Sequence, residues 1–221
     1  MIAGKFINDA AYNVSKYTPR QPGVKQKQLW KCPIYAKWEK MILRVSTISG
    51  LEKNPSYKNV SICDEWIYFS NFRNWVLSQN IHPDDYSQLD LDKDLKNKNS
   101  FVYSPDTCLF IPRYINCALS LNGDKNKNGI SVGVQQRIHK TKISYRAYIN
   151  KFRKRMIIGT YDNEADAHLA WQNEKIIFFR EMINKYKTER YYNIEVELCL
   201  KNIISKLQYE MDNKLTTKTL G

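Results

Sequence analysis

Three consecutive segments in the second half of the chain alternate apolar and polar residues with a period of two, the pattern of half-buried β-strands. The segments are ISVGVQQRI at 130–138, ISYRAYIN at 143–150 and RMIIGTY at 155–161. Residues 162–186 follow with apolar side chains at helical spacing, and Asp162 stands where a helix cap is expected. This order predicts a three-stranded antiparallel sheet packed on one helix.

The same alternation predicts which side chains point away from that helix. Met156 and Ile158 are expected to pack on the helix. The outward set is Gln135, Arg137, Arg146, Tyr148, Asn150, Arg155 and Ile157. Arginine can bond guanine and the amide side chains can bond adenine through paired hydrogen bonds, and a β-sheet can enter the major groove. The face therefore favours contact with nucleic acid.

The charge of the chain is concentrated in the same region. The formal net charge is +13, from 35 Lys and Arg against 22 Asp and Glu. No acidic residue lies between Asp124 and Asp162, whereas ten basic residues do. They are Lys125, Lys127, Arg137, Lys140, Lys142, Arg146, Lys151, Arg153, Lys154 and Arg155. A polyanion is the expected partner, because solubilising charge is usually mixed in sign, and Arg153 joins the candidate DNA contacts.

A second chemical pattern occupies residues 89–116. It has a strand with carboxylates, a loop, another strand and a helix that carries Asn116. Asp90, Asp92 and Asp94 alternate, so a regular strand would place them on one face. In a metal-dependent nuclease hairpin, one strand carboxylate and one helix amide or imidazole hold a divalent ion on the scissile phosphate. The alternative is a solvated acidic edge.

Several classes of protein are disfavoured by composition. No apolar run approaches the ~18 residues of a membrane span, and the N-terminus lacks the apolar centre of a secretory signal. We therefore expect a cytoplasmic protein without a membrane partner. The five cysteines include no CxxC pair, which disfavours a zinc knuckle or a disulfide framework. Cys63, Cys108 and Cys117 are interpreted as small buried apolar residues.

Glycine and asparagine in LNGDKNKNG at 121–129 predict a domain boundary. The resulting parts are an N-terminal arm at 1–30, a first domain at 31–120, a linker at 121–129, a second domain at 130–185 and a C-terminal helix at 186–221. Apolar residues line one side of that helix near 194–212. It is expected either to pack on the body or to form a homodimer with another subunit.

The segments GVQQR (133–137), YRAYI (145–149) and IIGTYDNEADAHLAW (157–171) resemble the Apetala-two/ethylene-response-factor DNA-binding domain, in the form found in phage nucleases and integrases. The resemblance spans 129–180 and implies a sheet that contacts the major groove of double-stranded DNA. That family often has arginine at the positions of Gln135 and Asn150 and tryptophan at the position of Ile157. Base preference is therefore not carried over.

Residues 32–116 resemble an HNH homing-endonuclease family of phages and introns. The resemblance rests on WEKM at 38–41, CDEW at 63–66 and the sequence from LDLD to YSPDTC at 89–108. It implies a ββα-metal hairpin in which Asp92 and Asn116 bind Mg²⁺ or Mn²⁺. The expected fold class is thus α+β: a helical region with this hairpin, the three-stranded sheet on one helix, and a C-terminal helix.

The position of the general base in that family is occupied here by Lys93. Lysine is a poor base at neutral pH. Of the three histidines, His82, in the preceding loop, is the one expected to be able to approach the position of the general base. His139 and His168 are interpreted as surface residues. The first implied function is a DNA-binding homing endonuclease that nicks weakly. The alternative is a catalytically inactive DNA-binding protein, which would be a regulator or an antagonist of host nucleic-acid enzymes. If the protein is phage-encoded, it is expected to act in the host cytoplasm.

Overall fold

A computed structural model gives a mixed α+β chain of six helices and several small sheets over the residues it describes. The described residues are 6–53, 55–121, 129–140, 142–152 and 154–220. The chain divides into two units, Met1–Phe110 and Ile111–Gly221. Most of the predicted linker at 121–129 lies outside the described residues. In the described part, no helix has both the length and the apolarity needed to cross a membrane.

The first unit contains three helices and several short strands. They are β1 (Ser15–Tyr17), β2 (Gln28–Lys31), α1 (Pro33–Ser46), α2 (Ile48–Lys53), β3 (Ser61–Ile62), α3 (Phe69–Ser78), β4 (Leu89–Asp92) and β5 (Val102–Tyr103). Strand β6 (Leu109–Pro112) spans the division between the units. β1 pairs with β2 antiparallel, β3 pairs with β5 parallel, and β4 and β6 form a two-stranded sheet.

Aromatic side chains from α1 and α3 form the core of the first unit. Trp66, Phe69 and Phe72 are fully buried, and the indole of Trp38 donates a 2.8 Å hydrogen bond to the Trp66 carbonyl. The described part of the predicted arm, residues 6–30, is joined to α3, because the Asp9 carboxylate accepts hydrogen bonds from the backbone and hydroxyl of Ser70 at 2.8 and 2.5 Å. A capped α3 thus holds the arm in place.

The second unit confirms the predicted sheet and helix. Its elements are α4 (Arg113–Leu119), β7 (Val134–His139), β8 (Lys142–Lys151), β9 (Lys154–Tyr161), α5 (Glu164–Tyr186) and α6 (Ile194–Asp212). The strands form one antiparallel sheet in the order β7-β8-β9. The cap of α5 is Asn163, not Asp162: its side chain accepts from the Asp166 amide at 2.8 Å.

Small residues hold the sheet close to α5. Val134, Ala147 and Ala167 are fully buried at the contact. Gly133 has a φ of +76°, and a methyl group on it would lie 2.0 Å from Cδ1 of Trp171. Glycine is required here both by the left-handed backbone and by the close approach of the indole ring.

Helix α6 packs against α5 through its apolar side, the first of the two expected arrangements. Val196, Leu200, Ile203 and Leu207 are buried in this way. A homodimer through α6 stays a prediction, and it would have to use the remaining surface of the helix.

His168 on α5 was predicted to be a surface residue, and that prediction was wrong: the side chain is only 4% exposed. The segment after α6 covers it. Its Nδ1 lies 2.9 Å from the Val132 carbonyl, and its Nε2 accepts a 3.0 Å hydrogen bond from the Thr217 amide. The ring stacks on Trp171 with centroids 5.4 Å apart. A neutral imidazole satisfies both hydrogen bonds, and burial lowers the pKa of His168.

Gly133→Ala is expected to lower the free energy of unfolding by about 2–4 kcal/mol, since backbone strain and overlap with Trp171 act together. Gly129→Ala is the matched control, because its φ is +73° but no described atom lies within 4 Å of an added methyl group. It should lose only about 1 kcal/mol. Urea unfolding of both variants measures the difference, and equal losses would show that Trp171 moves aside without cost.

The buried histidine predicts a specific pH dependence. Because the folded-state pKa of His168 is lowered, the unfolded chain binds the proton first as the pH falls below about 6.5. Its contribution to stability is complete above that pH and declines as the pH falls toward the folded-state pKa. Unfolding measured between pH 7 and 5 should show a smaller decline in His168→Gln, which keeps a donor and an acceptor. An unchanged decline would contradict the assignment.

Candidate nucleic-acid interface

The strand register defines the outer face of the β7–β9 sheet, the side away from α5. Gln135 pairs with Arg146, Arg146 pairs with Thr160, and Arg137 pairs with Ser144. Cross-strand partners project to the same side. The outer face comprises Gln135, Arg137, Ser144, Arg146, Tyr148, Asn150, Arg155, Ile157 and Thr160. The alternation of the sequence also places Ser144 and Thr160 on this face, although they were not among the predicted DNA contacts. Arg153 lies outside the described residues.

A β-bulge determines the composition of this face. Ala147 pairs with Gly159, but the next residue, Tyr148, pairs with Ile157, so Ile158 and Gly159 together oppose one residue of β8. In a regular strand that continues the Ala147–Gly159 pairing, Ile157 would lie on the same side as Gly159, toward α5. The bulge instead places Ile157 on the outer face and turns Ile158 toward the core. Met156, predicted to pack on the helix, is 51% exposed, and that prediction was wrong.

The guanidinium of Arg155 covers the ring of Tyr148, with its central carbon 4.2 Å from the ring centroid. Tyr148 is consequently only 5% exposed, although its strand position points it outward. This cation–π contact restricts the arginine side chain. A cation held in one place loses less conformational entropy when it binds an anion or a base edge.

Arg146 lies at the centre of the outer face, between Gln135 on one side and Thr160 on the other. Its Nε is buried and has no hydrogen-bond partner in the described part of the chain. A buried donor without an acceptor is unfavourable. A ligand that supplies an acceptor to this guanidinium would remove that penalty.

Two lysines of the basic segment between Asp124 and Asp162 form ion pairs with carboxylates. Lys151 pairs with Glu174 at 2.7 Å and with Glu181 at 3.4 Å, both on α5. Lys142 pairs with Asp162 at 3.5 Å in an exposed contact. Lys151 thus serves to join β8 to α5, and the charge on the outer face comes mainly from its arginines.

In the first unit, Asp92 is the last residue of β4. Its Oδ1 accepts hydrogen bonds from the backbone amides of Asp94 and Leu95 at 2.9 and 2.7 Å, the arrangement of an Asx turn. Burial raises the pKa of the Asp92 carboxyl, against the effect of the Leu95 amide. Asp94 was expected on the same strand face, but the strand ends at Asp92 and Asp94 lies in the turn.

Lys93 points into the first unit and is 5% exposed. Its ammonium pairs with Asp94 at 2.6 Å, donates to the Ser100 carbonyl at 3.2 Å and lies 5.8 Å from the centroid of the Tyr57 ring. These contacts favour a structural role for Lys93. They fix the turn that follows Asp92.

The other candidate residues lie in separate surroundings. Asn116 is a half-buried residue of α4, which belongs to the second unit, whereas Asp92 belongs to the first. His82 caps a short 3₁₀ turn, Pro83–Asp85, by accepting from the Asp84 amide at 3.4 Å. His139 is exposed at the end of β7, as predicted.

No disulfide joins the cysteines in the part of the chain that the structure describes. Cys108 is buried, and burial raises its pKa to about 12. Cys63 is partly exposed and Cys117 is exposed, so the prediction of burial was wrong for both. Among the described residues, no group of three or more His, Cys, Asp or Glu side chains that could hold a metal ion is found.

Comparisons with protein-family models, curated proteins and solved structures found no match to this chain. The two resemblances in the sequence therefore remain expectations, and the function has to be argued from the geometry of the chain itself.

Proposed function

We propose that the chain binds double-stranded DNA through the outer face of the β7–β9 sheet. The observation that carries this proposal is a sheet face with three guanidinium groups, from Arg137, Arg146 and Arg155, and no acidic residue among its described members. A phosphate backbone is the polyanion that such a face fits, and arginine and amide groups can also bond base edges.

The exposed groups favour a duplex over a single strand. Proteins that bind single strands offer aromatic rings on which bases stack. On the outer face the described aromatic residue is Tyr148, and Arg155 already covers its ring. What remains exposed is a surface of arginine, amide, hydroxyl and one isoleucine, which suits the floor of a major groove.

We also propose a second function, metal-dependent DNA cleavage by the β4, β6 and α4 segment. It is favoured by the strand–strand–helix order and by Asp92, whose raised carboxyl pKa a bound cation would lower. The resemblance of residues 32–116 to the HNH family implies Asp92 and Asn116 as ligands of Mg²⁺ or Mn²⁺, and Mg²⁺ usually keeps several waters. The ion would acidify water and neutralise phosphate charge. The alternative is a DNA-binding protein without cleavage, and the structural contacts of Lys93 favour it.

Arg146→Ala should weaken duplex binding, and Arg146→Lys distinguishes how the arginine acts. Lysine keeps the charge but not the paired hydrogen bonds. If Arg146 contacts a guanine, both variants should lose about 1–3 kcal/mol, mainly at one base pair. If it contacts phosphate, Arg146→Lys should bind nearly as well as the wild type, and Arg146→Ala should lower the salt slope by about one.

The measurement is fluorescence anisotropy with duplex DNA over a series of salt concentrations. Arg180→Ala is the matched control, since Arg180 is an exposed cation on α5, away from the outer face. Equal losses in Arg146→Ala and Arg180→Ala would show that binding reflects net charge alone and would contradict the proposed interface.

Asp92→Asn tests the second function without breaking the turn, because an amide oxygen can accept the same two backbone hydrogen bonds. Wild-type protein is expected to nick supercoiled plasmid slowly with Mg²⁺ or Mn²⁺, and Asp92→Asn to abolish nicking while duplex binding persists. Asp84→Asn, at an exposed carboxylate, is the control and should nick normally. If the wild type binds duplex DNA but nicks plasmid with neither metal, the alternative of DNA binding without cleavage holds.

A further inference from the structure

Ile157 is an apolar residue on an otherwise polar surface. It lies on the outer face opposite Tyr148 and is 61% exposed. Arg155 lies on the same side of β9, two residues earlier, and Arg146 and Asn150 flank Tyr148 on β8. Single exposed isoleucines are common on proteins. What distinguishes this one is the backbone feature that brings it there.

The bulge at Ile158 and Gly159 exposes Ile157. Without it, a strand that keeps the Ala147–Gly159 pairing would turn Ile157 toward α5, where Ala147 and Val134 are fully buried. Burying an isoleucine side chain is favourable. A strand that directs an isoleucine into solvent forgoes this gain, unless another molecule covers the side chain.

The floor of the major groove offers one apolar group that such a side chain can cover, the C5-methyl group of a pyrimidine. Phosphates, sugars and the other base-edge atoms in that groove are polar or lie away from its floor. We infer that Ile157 contacts the C5-methyl group of a thymine or a 5-methylcytosine, and that it sets a preference at one base pair. The inference rests on the proposed duplex-binding function and names the group that is recognised.

The neighbouring arginine supports a defined contact. The Arg155 guanidinium lies over the ring of Tyr148, the residue that pairs with Ile157, with its central carbon 4.2 Å from the ring centroid. A fixed cation on one side of an isoleucine orients a base edge that carries both an acceptor and a methyl group. The polar neighbours also raise the cost of placing a base without a methyl group there, since the isoleucine would then face polar atoms.

The test uses the full chain and binding sites selected from a random duplex library. Each thymine of a selected site is replaced in turn by uracil, which removes only the methyl group, and each cytosine is replaced by 5-methylcytosine. We expect one thymine-to-uracil change to weaken wild-type binding about three- to fivefold, the effect of one methyl group. If the natural ligand is methylated cytosine, one cytosine methylation should strengthen binding by a similar factor.

The variant Ile157→Ala should bind the same site with equal affinity whether or not that methyl group is present. Ile177→Ala, at a partly exposed isoleucine of α5, should keep the full methyl dependence. A scan without methyl dependence, or a dependence that persists in Ile157→Ala, overturns the inference while leaving duplex binding intact. A chain that binds no duplex overturns the proposed function and this inference with it.

Discussion

The contact between the backbone of Gly133 and the indole of Trp171 sets the distance between the sheet and α5. Only a residue without a side chain allows that approach, and the neighbouring contacts of Val134 and Ala147 with Ala167 are correspondingly small. The indole also stacks on His168, which in turn accepts a hydrogen bond from the Thr217 amide of the C-terminal segment. One buried ring thus connects the sheet, the long helix and the end of the chain.

The second constraint is the bulge in β9, because alternate residues of this strand face opposite sides of the sheet before and after it. Before the bulge, Arg155 and Ile157 face outward beside β8; after it, Gly159 faces α5 opposite Ala147. The extra residue therefore lets Ile157 face outward beside Arg155 while Gly159 faces α5, whereas a regular strand would place Ile157 and Gly159 on the same side. Gly159 suits such a position, since a methyl group on it would lie 2.9 Å from the Tyr161 hydroxyl.

Much of the second unit follows from the sequence, because alternation and helical spacing are local. The strand predicted at 143–150 is observed as Lys142–Lys151, and the helix predicted near 194–212 is Ile194–Asp212. The errors concern tertiary contacts. His168 is buried by a segment nearly fifty residues away in the chain. Met156 is exposed because β9 is an edge strand, with a neighbour on one side only. For Asp92 and Lys93, the sequence showed the residue types. It did not show that Asp92 caps a turn or that Lys93 is buried.

The charges around Asp92 and Lys93 bear differently on the two proposed functions, DNA cleavage and DNA binding without cleavage. The ammonium of Lys93 is committed to Asp94, and Asp92 has no ion pair with a lysine or arginine among the described residues. Burial already favours the protonated form of Asp92, and a DNA phosphate placed nearby would favour it further. DNA binding near this carboxyl without a cation should therefore raise its pKa further. A divalent cation held by the carboxylate would instead lower that pKa. The two proposed functions thus differ in the direction in which the pKa of Asp92 changes on DNA binding.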